Sequence, residues 1–385
     1  MRPYRTVLEQ KIRERRMTLE EFAAYAENFA REHGEPGTLS LRHLQRLVAG
    51  KGPKGQSLGP IRPATARLLE RIFETDSSKL LSSPAQNVAT PEGEAAELRE
   101  RIQKARRVDV VMLQGLRDQL NSIRRIDRQY GAVVTHSELL TKIDQVHDLL
   151  TYSLSGSIRK DLAIILSEMH TLAGWQSLDM GRCTASWQHY EQAKQAALET
   201  ENVAYYAHAT AEQAFTLLDL GESATAVELL GSTRRSAQHR CPQLLRVWLT
   251  AAYGEALAAA GRSAESLQHF DEAERCLPHE EVNSEGPYIV LDANHLARWR
   301  GHSAVRSGRD DSIAILTSAL NALDSTFSRA ESALRADLAT ALFTLGENRS
   351  ASEELSQSRR IARRIGSARQ MKRLQIVTEL DSSRC

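Results

Sequence analysis

Five glycine turns at nearly even spacing constrain this chain more than any other feature. They read MGRCTAS, LGESATA, AAGRSAES, SGRDDSI and LGENRSAS, and their glycines (Gly181, Gly221, Gly261, Gly308, Gly346) lie 40, 40, 47 and 38 residues apart. Seven residues before each stands a small residue: Gly174, Ala214, Gly254, Gly301 and Ala339. Five residues after stand Ser186, Ala226, Ser266, Ile313 and Ala351, of which Ile313 alone is large. Between the turns, apolar residues recur at three and four, as in Leu217, Leu218, Leu220 and then Val227, Leu229, Leu230, and alternating β-branched runs are absent. That is the period of helices, and Ala, Leu, Glu, Gln and Arg favour them. Each unit therefore reads as a helical hairpin. The glycine ends the first helix in a left-handed conformation that costs it least. The small residue two turns earlier lets the second helix come close, and bulky residues such as Tyr190 and Phe270 are expected to fill between neighbouring pairs. One hairpin cannot bury both its faces, so hairpins stack.

Over Ser157–Ser367 this pattern resembles the tetratricopeptide repeat, with a period longer than the usual ~34 residues. The segment 98–150 reads as a first, atypical hairpin, with a helix ending near Gly131 and another over His136–Leu150. In such arrays the first helix of each pair lines a concave face. The resemblance therefore implies a groove for a peptide, small molecule or protein partner, with Tyr206, Gln213, Arg246, Tyr253, Asn294 and Arg298 as candidate contacts. Asn can hold a peptide backbone and Arg a carboxylate. Trp175, Trp187, Trp248 and Trp299 read as core residues, and the arginine-rich tail Arg359–Arg373 as a solvated helix face, with a cap on the array or a second basic surface as the alternatives.

Proline divides the chain. Seven of ten prolines lie at or before Pro91, and all four tryptophans lie after it. The small, polar stretch Ser82–Glu97 reads as a linker between residues 1–81 and 98–385, because it has little apolar surface to offset the entropy of ordering. Residues 1–81 read as four or five short helices. The first spans about Thr6–Arg16. The second is opened by Thr18 with Glu21 as a capping box, and the third by Ser40, ending at Gly50. The fourth runs over Arg62–Phe73 with Pro63 near its start.

Here L-S-x-R-x-L-Q-R-x-x-A-G-K resembles the recognition helix of the phage-repressor-like (XRE-type) helix-turn-helix family, and RPATARLLERIFETDSSKLL its closing helix. Similar actinobacterial proteins join such a head to tetratricopeptide-like repeats and regulate transcription. The resemblance implies that the Ser40 cap presents N–H groups to a phosphate. It also implies that Arg42, His43 and Gln45 enter the major groove, that Arg46 binds a phosphate or a base, that Leu39, Leu44 and Leu47 are buried, and that Lys51, Lys54 and Arg62 touch the backbone. Two features depart from the family: the segment between the second and third helices is about ten residues longer than its tight turn, and Leu19 stands where a polar residue is common.

The whole chain sums to a net charge of only +1, yet residues 1–80 hold 15 Lys+Arg against 10 Asp+Glu. Within Leu41–Arg71 seven basic residues face one acid, Glu70. A basic head on a mildly acidic body fits a double-stranded DNA partner, with binding that weakens steeply in salt. No apolar run approaches the ~20 residues of a membrane span, and the charged start lacks a secretory signal, so the expected location is the cytoplasm. Four scattered cysteines suggest reduced, mostly buried thiols rather than a disulfide framework.

Gly50, Gly52 and Gly55 match G-x-G-x-x-G, but a helix rather than a strand precedes them. Cys276 and His279 have no second metal-ligating pair, and no catalytic motif is present. The expectation is a non-enzymatic protein with no cofactor and no metal. Its fold class is all-α, a helix-turn-helix domain followed by a stacked helical-hairpin superhelix. The function expected is that of a homodimeric DNA-binding transcriptional regulator whose repeats dimerise or sense a ligand. The alternative is a repeat-based interaction scaffold with a head that no longer binds DNA.

Overall fold

The computed structural model describes residues 4–15, 17–32, 34–36, 38–50, 61–73, 75–83, 91–154, 156–278 and 286–382. Two compact units divide between residues 100 and 101. Every regular element among the described residues is a helix.

The first unit holds five short helices, α1 (Val7–Glu14), α2 (Leu19–Glu32), α3 (Leu41–Ala49), α4 (Pro63–Phe73) and α5 (Ser77–Leu81). Their starts follow side-chain chemistry. The Thr6 hydroxyl accepts from Glu9 N–H and Asp76 accepts from Ser78 N–H. Thr18 and Glu21 form the reciprocal box, with Glu21 N–H donating to Thr18 Oγ1 at 3.1 Å and Thr18 N–H to Glu21 Oε2 at 2.7 Å. The bond from the Thr18 N–H first, and then the Thr18 hydroxyl, hold the Glu21 carboxyl below its ordinary pKa. Ser40 caps α3, and Gly50 ends it at φ 66°. Leu8, Ile12, Phe22, Leu44, Leu68 and Leu69 form the fully buried centre, with Phe73 stacked on Phe22 at 5.3 Å. Residues 51–60, with Lys51 and Lys54, lie outside the described residues.

A sixth helix, α6 (Pro91–Arg106), begins inside the stretch read as a linker. Its sequence, PEGEAAELRERIQKAR, is rich in Glu, Ala and Arg, and their helix propensity outweighs the lack of apolar surface.

The second unit is a stack of antiparallel helices. It opens with α7 (Val110–Tyr130) and α8 (Ala132–Tyr152), followed by the pairs α9 (Gly156–Asp179) and α10 (Cys183–Leu198), then α11 (Val203–Asp219) and α12 (Ser223–Ala237). Next come α13 (Gln243–Ala259) and α14 (Ser263–Cys276), α15 (Ala293–Arg306) and α16 (Ser312–Asn321), and α17 (Ser328–Thr344) and α18 (Asn348–Arg364), with α19 (Ala368–Ser382) last. The five repeat glycines all have φ between 65° and 84°. Beyond each, an N–H reaches back five residues, as Arg182 N–H does to the Ser177 carbonyl at 2.8 Å and Arg262 N–H to Leu257 at 2.8 Å. This closes the helix end in the Schellman manner.

The small residues do what their spacing predicts. A Cβ on Gly174 would lie 2.8 Å from the Tyr190 ring, and one on Gly301 would lie 2.7 Å from Leu316 Cδ2. Tyr190 and Phe270 thus pack on Gly174 and Gly254 of their own hairpins, where filling between neighbouring pairs was expected. The small residues on the second helices reach the next hairpin instead: Ser186 Oγ bonds Thr216 Oγ1 at 3.0 Å and Ser266 Oγ bonds Ser303 Oγ at 2.8 Å.

The stack also does more than curve, because its last helices return to its first. Ser328 Oγ donates to the Gln129 carbonyl at 2.9 Å, and Ser367 Oγ to Asp179 at 2.5 Å. Arg329 pairs with Asp127 at 3.2 Å and Asp179 at 2.9 Å. Arg369 grips Asp219 in a two-bond fork at 2.6 and 2.7 Å. The hairpins therefore close into a ring. The tail arginines, read from sequence as solvated, correct that reading at two positions: Arg369 and Arg373 turn inward onto Asp219 and Asp337. Of the described cysteines, Cys183 and Cys241 are half-buried and Cys276 is exposed, so a mostly buried set is not observed.

Candidate functional site

The ring encloses a cavity of about 570 Å³. Nearly all its lining comes from the odd-numbered helices of the second unit, the first members of the hairpins. On α15 the lining residues are His295, Arg298, Trp299, His302 and Arg306, and on α9 Glu168, Thr171, Leu172, Trp175 and Leu178. Both series step by three and four along one helical face. From α11 come His208, Glu212, Phe215, Leu218 and Asp219.

The lining has an aromatic side and a charged side. Trp248 and Trp299 meet at 5.9 Å, and Phe215 lies 6.2, 5.9 and 6.4 Å from Trp248, Trp299 and Trp175. The guanidinium groups of Arg329 and Arg369 stand over the Trp175 ring at 5.8 and 5.2 Å. Three of the four tryptophans, read from sequence as core, therefore face a space; Trp187 lies on α10, 37% exposed.

Most charges in the cavity are paired. Arg124 meets Glu168 at 2.5 Å, and Glu168 also accepts from the Tyr288 N–H at 3.0 Å. His302 bridges Glu255 at 3.1 Å and Asp337 at 2.7 Å. Burial works against charge on this imidazole, but Asp337 and Glu255 outweigh it and raise its pKa above the ordinary value. Arg298 is different. It forms no hydrogen bond or ion pair with the described residues, and burial lowers its pKa to about 10 against the pull of Asp292, Asp337 and Glu255. Near it, His295 spends Nδ1 on Asp292 at 2.8 Å and leaves a buried Nε2 without a partner. Arg128 lies over the Phe327 ring at 4.8 Å with its buried Nε also unbonded.

Glu212 has shed its charge cost in another way. Burial, only partly offset by Arg369, pushes its carboxyl up to about 7. The folded protein thus holds this proton more tightly than the unfolded chain does. The stability it contributes is full below about pH 4.3 and is lost as pH rises through 7. Glu212→Gln is expected to match the native protein near pH 4 and to exceed it by on the order of 2 kcal/mol at pH 8. Urea unfolding of both proteins across that range measures the gap, and a gap that does not widen with pH removes the raised carboxyl. On the same helix His208, pushed down to about 4 by burial, is neutral at physiological pH.

Of the six contacts expected in the body, Arg298 alone lines the cavity. Gln213 is buried and bonds Glu191 at 2.8 Å and Lys194 at 3.0 Å, tying α11 to α10. Tyr253 packs on Gly231 and on the His269 ring at 4.9 Å. Arg246 donates to the Gln238 carbonyl at 3.1 Å and lines a smaller hollow of about 210 Å³ beside α12 and α14. Asn294 reaches the Ala322 carbonyl at 3.4 Å, and Tyr206 is exposed. Each stands on a first helix, as expected, but on a face turned away from the cavity.

In the first unit, α3 buries Leu44 and Leu47 and exposes Arg42, Gln45 and Arg46, while His43 is half-buried and Leu39 packs just before the cap. Ser40 is exposed and accepts from His43 N–H at 3.4 Å. Burial first, then the charges of Arg46 and of exposed Arg62, lower the His43 pKa. Arg71 is drawn off to Glu35 at 2.5 Å. No group of three or more His, Cys, Asp or Glu among the described residues is arranged to hold a metal, and no described helix is long and apolar enough to cross a membrane.

No family model matches the chain, and no curated protein does. Among solved structures it is similar to the tetratricopeptide-like, nearly identical repeats of a Podosopora anserina kinesin light chain, at 18% identity and TM-score 0.34, covering 50% of this chain and 94% of that one. A point variant of those repeats is similar at 17% identity and TM-score 0.35, with 50% and 92% covered. A Rap protein complexed with Competence and Sporulation Factor is similar at 13% identity and TM-score 0.40, with 84% of this chain and 93% of that one covered.

Proposed function

We propose that the helical-repeat body is a receptor that takes a ligand, a peptide segment or a small molecule, into the cavity of its ring. One observation carries this reading: a roomy space lined together by a cluster of tilted and edge-to-face aromatic rings and by charges, at least one of them unpartnered. Pockets that orient ligands combine an apolar lining with a few placed polar groups, whereas a space serving only to complete a core would be filled. Ala330 and Ala333 on α17 also face the space. Filling it with Ala333→Phe is expected to abolish the thermal shift that a peptide or small-acid library produces with the native protein. Hits that stabilise both proteins equally would place the binding site elsewhere.

A second reading concerns the first unit and completes the first. We infer that α3 is a DNA-reading helix and that the protein is a ligand-responsive transcriptional regulator acting on paired half-sites as a homodimer. Its support is the exposure of Arg42, Gln45 and Arg46 on one face, behind a Ser-capped N-terminus with no acid in its first turn. Arg42→Ala combined with Arg46→Ala is expected to flatten sequence preference and cut affinity for the protein's own upstream DNA by about a hundredfold. The native protein's affinity should fall steeply as salt rises. A double variant that binds every duplex as the native protein does would leave the body as an interaction scaffold alone.

A further inference from the structure

We infer that the cavity selects an anionic ligand, with Arg298 gripping its carboxylate, sulfonate or phosphate and the tryptophan side holding a planar apolar part. This rests on the receptor reading and gives its ligand a chemistry.

The case starts from an imbalance. A guanidinium half-buried in a cavity wall, as Arg298 is, has lost part of its water and is normally repaid by carboxylates or carbonyls. Arg124, Arg329, Arg369 and Arg373 all line this cavity and all have carboxylate partners. Arg298 lines it too and has none; the half-buried Arg128 also has none, and of the exposed cations on the lining Arg306 bonds only His302. The acids that act on it electrostatically are already engaged: Asp292 by His295, Asp337 by His302 and Arg373, and Glu255 by His302. Glu255 retains one unbonded oxygen, Oε2, but it has not turned to Arg298.

Two further hydrogen-bonding atoms close by are unbonded as well, Arg128 Nε and His295 Nε2. Both residues line the cavity, and both Arg128 and Arg298 bear electrostatically on His295. Orphaned buried groups are rare and call for an explanation. An anion arriving at Arg298 would engage a forked donor, which binds planar and tetrahedral anions through paired bonds. Trp299 follows Arg298 directly on α15, and with Trp248 and Phe215 it offers rings 5.9–6.2 Å apart. A ligand joining a flat apolar group to an anion would satisfy both sides.

Two dyes sharing one ring system separate the two sides. 8-Anilinonaphthalene-1-sulfonate carries an anion; N-phenyl-1-naphthylamine lacks it. Each is titrated into the full chain, reading its emission sensitised by tryptophan. Both are expected to bind the native protein. Arg298→Met should weaken the sulfonate dye about tenfold or more and leave the neutral dye unchanged, which also reports an intact cavity. Arg298→Lys, which keeps the charge, should lose less. Arg349→Met, on a guanidinium that is 94% exposed, should change neither. The inference is overturned if Arg298→Met weakens both dyes alike, if it weakens neither, if Met and Lys lose equally, or if Arg349→Met matches Arg298→Met. If neither dye binds the native protein, the receptor reading falls and takes this one with it. Competition by benzoate, phenyl phosphate and benzenesulfonate then ranks the anion.

Discussion

Arg329→Met is expected to destabilise the second unit by about 3–5 kcal/mol, the usual cost of leaving buried charges without their partner. Asp127 and Asp179 are 2% and 1% exposed, and the Arg329 side chain stands against both. Removing it strands two carboxylates inside the ring. The damage should be directional as well. Arg329 begins α17, and its partners end α7 and α9, so the join between the last hairpins and the first should open before the rest. Hydrogen exchange is expected to quicken in α7, α8 and α17–α19 while α11–α14 stay protected. Uniform quickening throughout the unit would mean that Arg329 supports the core rather than the closure. Asp127→Asn combined with Asp179→Asn in the Arg329→Met background should recover much of the loss, because the stranded charges are then gone.

The second large effect is expected at Gly131, between α7 and α8. Its φ is 91°, and a Cβ there would lie 2.0 Å from the carbonyl oxygen of Ile365, at the far end of the chain's repeats. That obstacle is backbone and has little room to move. Gly131→Ala therefore combines left-handed strain with a collision between the two ends of the ring, and a loss of about 3 kcal/mol or more is expected. By contrast, Gly221→Ala meets nothing within 4 Å, although its φ of 84° is similar. It should cost only the conformational part, about 1 kcal/mol. Equal losses at the two positions would show that Gly131 serves its turn and not the closure.

These two sites mark where the sequence stops being legible. The hairpins could be read because each depends on short-range chemistry: a glycine at the turn and a small residue two turns back. The head's helix starts were legible for the same reason, as Thr18 and Ser40 cap within three residues. Closure carries no such local mark. Arg329 and Asp127 are 202 residues apart, and neither interrupts a pattern. Arg369 and Arg373 read as one more polar stripe, since inward ion pairs and solvated arginines have the same spacing. The cavity was half legible. The expectation that first helices line it holds for α9, α11 and α15. On helices buried nearly all round, however, periodicity does not say which face meets a void and which a neighbour. Gln213 and Tyr253 were misplaced for that reason. The usable signal was in α15, where His295, Arg298, Trp299, His302 and Arg306 put four polar residues and a tryptophan on what should have been an apolar stripe.

Closure also sets a schedule for synthesis. An open array can mature one repeat at a time as it leaves the ribosome, each hairpin resting on the last. Here Asp127, Asp179 and Gly131 emerge early, while the residues that cover them, Arg329, Ser367 and Ile365, are made far later. At ~5–20 residues per second, a separation of 202 residues leaves Asp127 waiting roughly 10–40 s for Arg329. For that interval the nascent chain exposes a half-built cavity, tryptophans included, to whatever chaperone or ligand is at hand.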